Sequence, residues 1–526
     1  MFDFSKKTIP KEYLFLALFF FLGLVFISET IGLLDFWLDE AAVYIAIQNS
    51  FGELGSITAQ YAQQFLHNFA VKTWTIIFGE SPLAIRGFSA FCYFLLIFVM
   101  YKAGSYFFQS KKTGLLAAFL LTTNYFAIWY AIEVKTYTLA ALLGLLSFYF
   151  FIRSAHQASK KNYFLYFLFS GLGFYAHPWL LLTFGSQILS TLVFRKHFSK
   201  VFSLIFLQGL IFLTSLPFLF LTLKQGSLGV NSYAGTVGWS VILESFAYLS
   251  FGASWQYLAI TLIALLFLLS RNEKIKNFFI EKKAFIPTPA EKPWPSYSQK
   301  EKQINIALLF YLFVPLILSA GVSHFTPAYV VGRYEMTVLP AFLLLLANLW
   351  FKIKENLWLF LIAGLLLYTS FNSLVAYRKN IDSFKSTDKT VIESLYLKAK
   401  KGDYLITTDL SWATAYYFLQ TSQQEEKFHL VAYPEQISQQ AVWNNQTEMN
   451  RPENRERYQK EAGLLLEKIK NDPSAKQIFV LYRAGFPVNE LLKEQLDQNF
   501  ELIEEDYLET PREPSWYDHV LIYKKN

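Results

Sequence analysis

Residues 201–223 read VFSLIFLQGLIFLTSLPFLFLTL, a run without one charged side chain. At 1.5 Å per residue a helix of this length reaches about 34 Å, enough to cross the ~30 Å hydrocarbon core of a bilayer. Arg195, Lys196 and Lys200 precede the run and Lys224 follows it. Working outward in both directions, comparable apolar segments occur at 13–33, 83–107, 113–130, 136–152, 162–176, 178–194, 243–270, 304–322, 335–351 and 356–376. The pattern predicts about eleven spans, with 136–152, 162–176 and 178–194 short enough to include re-entrant segments. The first segment is longer than a signal-peptide core and no A-x-A-like site follows it, so it is expected to stay on the chain. Across 526 residues, 17% are charged and 19% aromatic, against roughly 25% charged in soluble domains. That balance excludes an ordinary cytosolic enzyme. Cys92 is alone and lies inside an apolar run, which excludes a disulfide framework.

Charge divides the chain. Residues 1–380 hold 29 Lys/Arg against 16 Asp/Glu, whereas 381–526 hold 18 against 24. The positive charge sits in short loops between apolar runs, so it implies no nucleic-acid partner. With the N-terminus in the cytoplasm, alternate loops carry 22 basic residues, from Lys6 to Lys354. The opposite loops carry five: Lys72, Arg86, Lys135, Lys224 and Arg333. The positive-inside rule then sets the orientation and leaves the tail outside. The segment 271–303, with Pro287, Pro289, Pro293 and Pro295 among lysines, reads as a flexible cytoplasmic linker. The expected fold is therefore an all-α polytopic membrane domain over 1–380 with a small extracytoplasmic α/β domain over 381–526. In that tail 404–408, 477–482 and 519–523 are strand-like, 389–400 and 462–469 have helical spacing, and 423–457 is polar enough for a long loop. Asn445-Gln-Thr447 fits a glycosylation sequon, a pattern short enough to arise often by chance.

Residues able to do chemistry gather at the outer ends of the spans. Asp39-Glu40 follows the first span. The outer loop 34–82 behind it carries His67-Asn68 and places Phe65/Phe69 and Trp74/Ile77/Phe78 at helical spacing, as in helices lying on a membrane surface. Later outer loops contribute Glu133, Lys135 and Tyr137, then His177-Pro178-Trp179, then His324, Pro327, Tyr329 and Gly332-Arg333-Tyr334-Glu335. Singly, each has a bland explanation: solvated acidic residues, a surface ion pair worth little, a capped loop histidine, or an arginine snorkelling to headgroups. Their concentration on one side of the membrane favours function. A carboxylate can take the proton of an acceptor hydroxyl. Lys, Arg and His can stabilise a phosphate as it leaves.

The ordered set resembles the GT-C superfamily of integral-membrane glycosyltransferases, and within it the protein O-mannosyltransferase-like and aminoarabinose-transferase-like branch. Asp39-Glu40 matches the acidic motif after span one, and His67-Asn68 stands at the His-Pro-Pro-like element without its prolines. Lys135-Thr-Tyr137 matches an Arg-x-Tyr-like element, with Lys in place of the usual Arg. His177 matches the following outer turn, and Arg333-Tyr334 with Leu339-Pro340 the late element. The resemblance covers about residues 10–376. It implies a sugar donor on a polyprenyl phosphate and an inverting single displacement with Asp39 as base. Glu40 or Glu133 would assist, orient the acceptor, or help Asp39 hold a divalent ion. His67, Lys135, Tyr137, His177, Arg333 and Tyr334 would contact the donor phosphate or substrate. A protein, lipid or glycan acceptor and a bacterial inner membrane fit this reading.

Three rival readings differ in kind. A transporter or flippase places charges near the midplane of repeated halves, and these spans have almost none. A glycan ligase of the cell envelope would use diphosphate-linked donors. An accessory scaffold acting through its outer tail would show no turnover in the membrane portion.

Overall fold

The structure is a computed structural model and describes residues 10–28, 30–32, 35–60, 65–198, 200–227, 238–250, 298–324, 330–352, 356–379, 387–408, 411–422, 427–435, 451–483, 487–509 and 517–525. The sequon at Asn445, Pro327, Tyr329 and the linker up to residue 297 lie outside the described residues. In chain order the helices begin with α1 (Lys11–Ser28), α2 (Leu38–Gln48), α3 (Phe51–Gln60), α4 (Phe65–Phe78), α5 (Pro82–Phe107), α6 (Lys111–Thr122) and α7 (Tyr125–Ala131). They continue with α8 (Tyr137–His156), α9 (Lys160–Ala176), α10 (Leu180–Phe194), α11 (Val201–Ser227), α12 (Val241–Leu249), α13 (Gln299–Ser323), α14 (Leu339–Lys352) and α15 (Asn356–Lys379). The tail holds α16 (Thr387–Lys398), β1 (Asp403–Thr408), α17 (Ser411–Ser422), β2 (Phe428–Tyr433), α18 (Arg455–Asn471), β3 (Gln477–Arg483), α19 (Pro487–Asn499), β4 (Glu501–Glu509) and β5 (Tyr517–Lys524).

The chain forms two compact units. The first comprises Met1–Thr30, Arg86–Phe218 and Ala234–Arg378; the second comprises Ile31–Ile85, Leu219–Tyr233 and Lys379–Asn526. The first unit is helical. Among the described residues, α1, α5, α8, α11 (over 201–221) and α13 are each long and apolar enough to cross a membrane, and the pair α6–α7 makes a sixth if it counts as one span. Two shorter apolar helices, α10 and 339–351 of α14, lie among them. The straight span expected over 113–130 is instead broken by a 62° bend between α6 and α7. Asn124 causes the break: its side chain accepts a hydrogen bond from the Ala127 amide (3.0 Å) and so starts a new helix. Of the span expected over 243–270, α12 is the described part. Helix starts follow ordinary capping chemistry: Ser110, Ser159 and Ser298 each accept from the amide three residues on, at 3.2 Å.

Small residues let helices in this unit approach closely. A Cβ at Gly104 would stand 2.9 Å from Gly114 Cα, which is how α5 and α6 cross. A buried polar seam links further helices. Ser147 and Ser170 hydroxyls are 2.7 Å apart, Gln187 Nε2 donates to Ser147 (2.9 Å), and Gln208 Nε2 donates to Thr191 (2.9 Å).

The second unit is built around a five-stranded sheet in the order β2-β1-β3-β5-β4. β1 pairs in parallel with β2 and β3, and β5 runs antiparallel between β3 and β4. Every residue of β1 is buried, as expected of a strand covered on both faces. Asp403 closes the sheet's start: its carboxylate accepts from the amides of Lys400 (2.8 Å), Lys476 (3.1 Å) and Gln477 (2.9 Å). The three strand-like stretches and two helical ones are all present. The loop expected over 423–457 also contains β2 and the start of α18. β2 is a short edge strand between charged turns, so its apolar run is too brief to stand out.

The connection after α1 packs within this unit. Phe36 stacks on Tyr417 of α17 at 4.7 Å, and Tyr44 of α2 meets the same ring edge-on at 5.0 Å. Asp35 pairs with Lys389 of α16 at 3.0 Å, and Ile45 lies against the sheet's core cluster.

Candidate active site

The sequence-derived candidates fall into two groups, each inside one unit. Asp39, Glu40 and His67 belong to the second. Asp39 and Glu40 occupy the first turn of α2, where the helix dipole favours negative charge. Both are buried, Asp39 at 8% exposure and Glu40 at 1%. α2 packs on α4 and α17, and Lys72 Nζ of α4 ties to the Ile47 carbonyl (2.7 Å) at the end of α2. α4 is two-faced, as its spacing predicts. His67, Asn68, Val71 and Thr75 are buried, while Phe69, Ile76, Ile77 and Phe78 are exposed. His67 Nδ1 lies 3.4 Å from Asn68 Oδ1, the two residues that stand where the resemblance expects His-Pro-Pro.

Glu133, Lys135, Tyr137, His177, Arg333 and Tyr334 belong to the first unit, on three connections that meet. Glu133, Lys135 and the hydroxyl-bearing Thr136 lie in the turn from α7 to α8, all buried. The turn is held by the Lys135 amide on the Glu133 carbonyl (2.9 Å) and by Thr136 Oγ1 on the Ala176 carbonyl (2.9 Å). That second bond brings in the turn from α9 to α10. There His177 meets Tyr137 at 5.7 Å between ring centres and Tyr334 edge-on at 4.8 Å. Trp179 meets Tyr334 at 5.6 Å, and Tyr130 meets Tyr137 at 4.7 Å. The third connection is the 3-10 turn Tyr334–Thr337, fixed by Tyr311 Oη on the Thr337 carbonyl (3.0 Å).

His177 is a neutral donor. The Trp179 amide donates to its Nδ1 at 3.2 Å, which leaves the ring hydrogen on Nε2. Burial pushes its pKa down to about 3, because taking the imidazolium out of water is costly. Positive charge in this group therefore comes from Lys135 and Arg333, and His177 offers an N–H. The arrangement provides cations, an N–H donor and a wall of aromatic rings, a chemistry suited to a phosphate ester and a sugar face.

Two features were not singled out from sequence. Glu335 is wholly buried and its carboxylate accepts from Ser245 Oγ of α12 at 2.9 Å. Its position beside Arg333-Tyr334 was the available signal, but its partner lies 90 residues away. Gly332 has φ +79°, and a Cβ there would stand 2.8 Å from Tyr248 Cζ. Its carbonyl also accepts from Tyr130 Oη. Among the described residues no three His, Cys, Asp or Glu side chains converge as a metal site. Asp39 and Glu133, the candidates for a divalent ion, belong to different units.

Residues 63–221 match the family described as dolichyl-phosphate-mannose-protein mannosyltransferase. That segment contains His67, Glu133, Lys135, Tyr137 and His177. No protein of curated function matches the chain. Among solved structures, the fold is similar to that of ArnT from Cupriavidus metallidurans. The apo crystal structure aligns at TM-score 0.60 with 11% identity, over 97% of each chain. The crystal structure bound to undecaprenyl phosphate aligns at TM-score 0.61 with 10% identity, again over 97% of each. The family match is confined to the segment 63–221, and the likeness to ArnT is one of fold.

Proposed function

We propose that the protein moves a sugar from a polyprenyl-phosphate donor to an acceptor on the outer side of a bacterial inner membrane. The observation that carries this is the cluster of Lys135, His177, Arg333 and aromatic rings within a fold similar to an undecaprenyl-phosphate-bound enzyme. In this reading Asp39 takes the proton of the acceptor hydroxyl. The acceptor oxygen bonds to the anomeric carbon, the carbon–oxygen bond to phosphate breaks, and the electron pair leaves with the lipid phosphate. Lys135 and Arg333 balance the charge that develops there, and the His177 Nε2–H adds a neutral donor. One displacement inverts the sugar carbon. Glu40 and Glu133 assist by orienting the acceptor, while His67, Tyr137 and Tyr334 contact donor or acceptor. The acceptor is a protein, lipid or glycan. Eleven crossings, a cytoplasmic N-terminus and an outer tail complete the reading, supported by the basic-residue bias of alternate loops.

The test compares membranes from cells carrying wild-type protein and Asp39→Asn at matched expression. Mass spectrometry of polyprenyl-phosphate sugars should find one glycosylated lipid that accumulates with the variant, and its mass gives that of the sugar. Full transfer by a folded Asp39→Asn protein would sink the base assignment. Identical lipid pools would instead favour transport or scaffolding.

A further inference from the structure

At the other end of α8 from Tyr137 lies a second group of cations that the reaction does not use. Arg153 sits in the last turn of α8, sixteen residues and about 24 Å along the helix from Tyr137. Its guanidinium lies 5.3 Å from the centre of the Tyr106 ring of α5 and 5.7 Å from that of Tyr149. One of its N–H groups donates to Tyr149 Oη at 3.3 Å. Lys300, in the first turn of α13, lies 4.7 Å from the same Tyr106 ring. One aromatic ring thus carries two like charges, and neither cation has an ion-pair partner among the described residues. Lys300 also stands at a helix N-terminus, where a positive charge is disfavoured.

Three buried polar atoms of this end, Arg153 Nε and His156 Nε2 in the last turn of α8 and Tyr106 Oη beneath Arg153, lack a hydrogen-bond partner among the described residues. The rings hold the guanidinium plane, so its remaining N–H edge is fixed in orientation, and its Nε has no acceptor among the described residues. A fixed guanidinium edge suits two oxygens of one tetrahedral anion, and a nearby ammonium adds a point charge. Lys102 of α5 lies one helical turn from Tyr106 and adds to the basic character of this end. Basic pockets between membrane helices beside a leaflet rich in anionic lipid bind phosphate headgroups.

We propose that Arg153 and Lys300, gathered on Tyr106, bind the phosphate of an anionic phospholipid headgroup at the membrane edge opposite the candidate active site. The lipid cancels the repulsion on Tyr106 and joins α5, α8 and α13 at that edge. The inference is independent of the transfer chemistry, since binding is read without turnover.

The full chain is purified in detergent, and binding of phosphatidylglycerol, phosphatidylcholine and inorganic phosphate is measured by native mass spectrometry and thermal unfolding. Phosphatidylglycerol should bind and raise the unfolding midpoint, while phosphatidylcholine should not. Arg153→Gln and Lys300→Gln should each weaken phosphatidylglycerol at least about tenfold, the scale of a lost charged hydrogen bond. Lys160→Gln, a change at an exposed lysine, should leave it unchanged. Size-exclusion profiles and circular dichroism identify any variant that fails to fold. Lys300→Gln, at the start of its helix, is the milder change and serves as the second reading. Equal binding of phosphatidylcholine, equal loss in Lys160→Gln, or unchanged affinity in both site variants overturns the proposal. Displacement of the lipid by inorganic phosphate at equal concentration overturns the lipid as the source of the phosphate.

Discussion

Replacing Gly332 with alanine tests whether the connection that carries Arg333 and Tyr334 is held as described. The substitution has two costs. A non-glycine residue at φ +79° is disfavoured by about 1–2 kcal/mol. The new Cβ would also stand 2.8 Å from Tyr248 Cζ and 2.9 Å from Cε1, so the ring must move, an overpacking cost of about 1–3 kcal/mol. Together Gly332→Ala should destabilise the turn locally by about 2–5 kcal/mol. Hydrogen exchange reads that quantity directly. The amides of Met336 and Val338 are bonded to the Arg333 and Glu335 carbonyls at 3.3 and 3.0 Å, and they should exchange about thirty-fold faster or more. Adding Tyr248→Ala should recover the steric part and leave the backbone part. Gly185→Ala, with nothing within 4 Å of its Cβ, is the control. Unchanged exchange at Met336 and Val338 in Gly332→Ala would refute both the backbone conformation and the Tyr248 contact.

Other expectations follow from the same connections. The folded pKa of His177 is about 3, below its ordinary value of 6.5, so between these values the unfolded chain binds a proton that the folded chain does not. Its contribution is complete above 6.5 and is lost as pH falls toward 3; thermal midpoints at pH 7.5 and 5 should therefore differ less in His177→Gln than in wild type. Lys135→Gln should raise the KM for the lipid donor by about ten- to a hundred-fold, the scale of a charge-assisted bond, while Lys135→Arg keeps it; equal KM in all three would remove Lys135 from donor binding. Ser245→Ala takes a donor from the wholly buried Glu335 carboxylate, a loss of about 1–3 kcal/mol, and should lower the thermal midpoint; an unchanged midpoint would show that the bond is not needed.

The membrane class was legible because it depends on run length and on where lysines sit, both local properties. Strands β1, β3 and β5 were legible for a similar reason, as each is a continuous apolar stretch. Strand β4, ELIEEDYLE, was not: it is an edge strand whose side chains are mostly exposed, so its charges mask its period. The bend at Asn124 left a signal in the residue itself, a good cap inside an apolar run, but apolar length outweighed it. The site candidates were readable only as a set of residue types expected on one side of the membrane. Their meeting was not. The bond from Thr136 to Ala176 and the bond from Ser245 to Glu335 depend on how distant helices pack, and no periodicity encodes that.

The packing of Phe36, Tyr44 and Asp35 against α16 and α17 has a practical consequence for anyone recombining this protein with relatives. The exchangeable module is discontinuous in sequence, since Ile31–Ile85 travels with Lys379–Asn526. A chimera spliced at residue 379 alone would graft a foreign surface beneath the helix that carries Asp39. A chimera exchanging both segments would keep that helix on its native support, and loss of transfer in the first but not the second would trace to a mismatched seat rather than to acceptor choice.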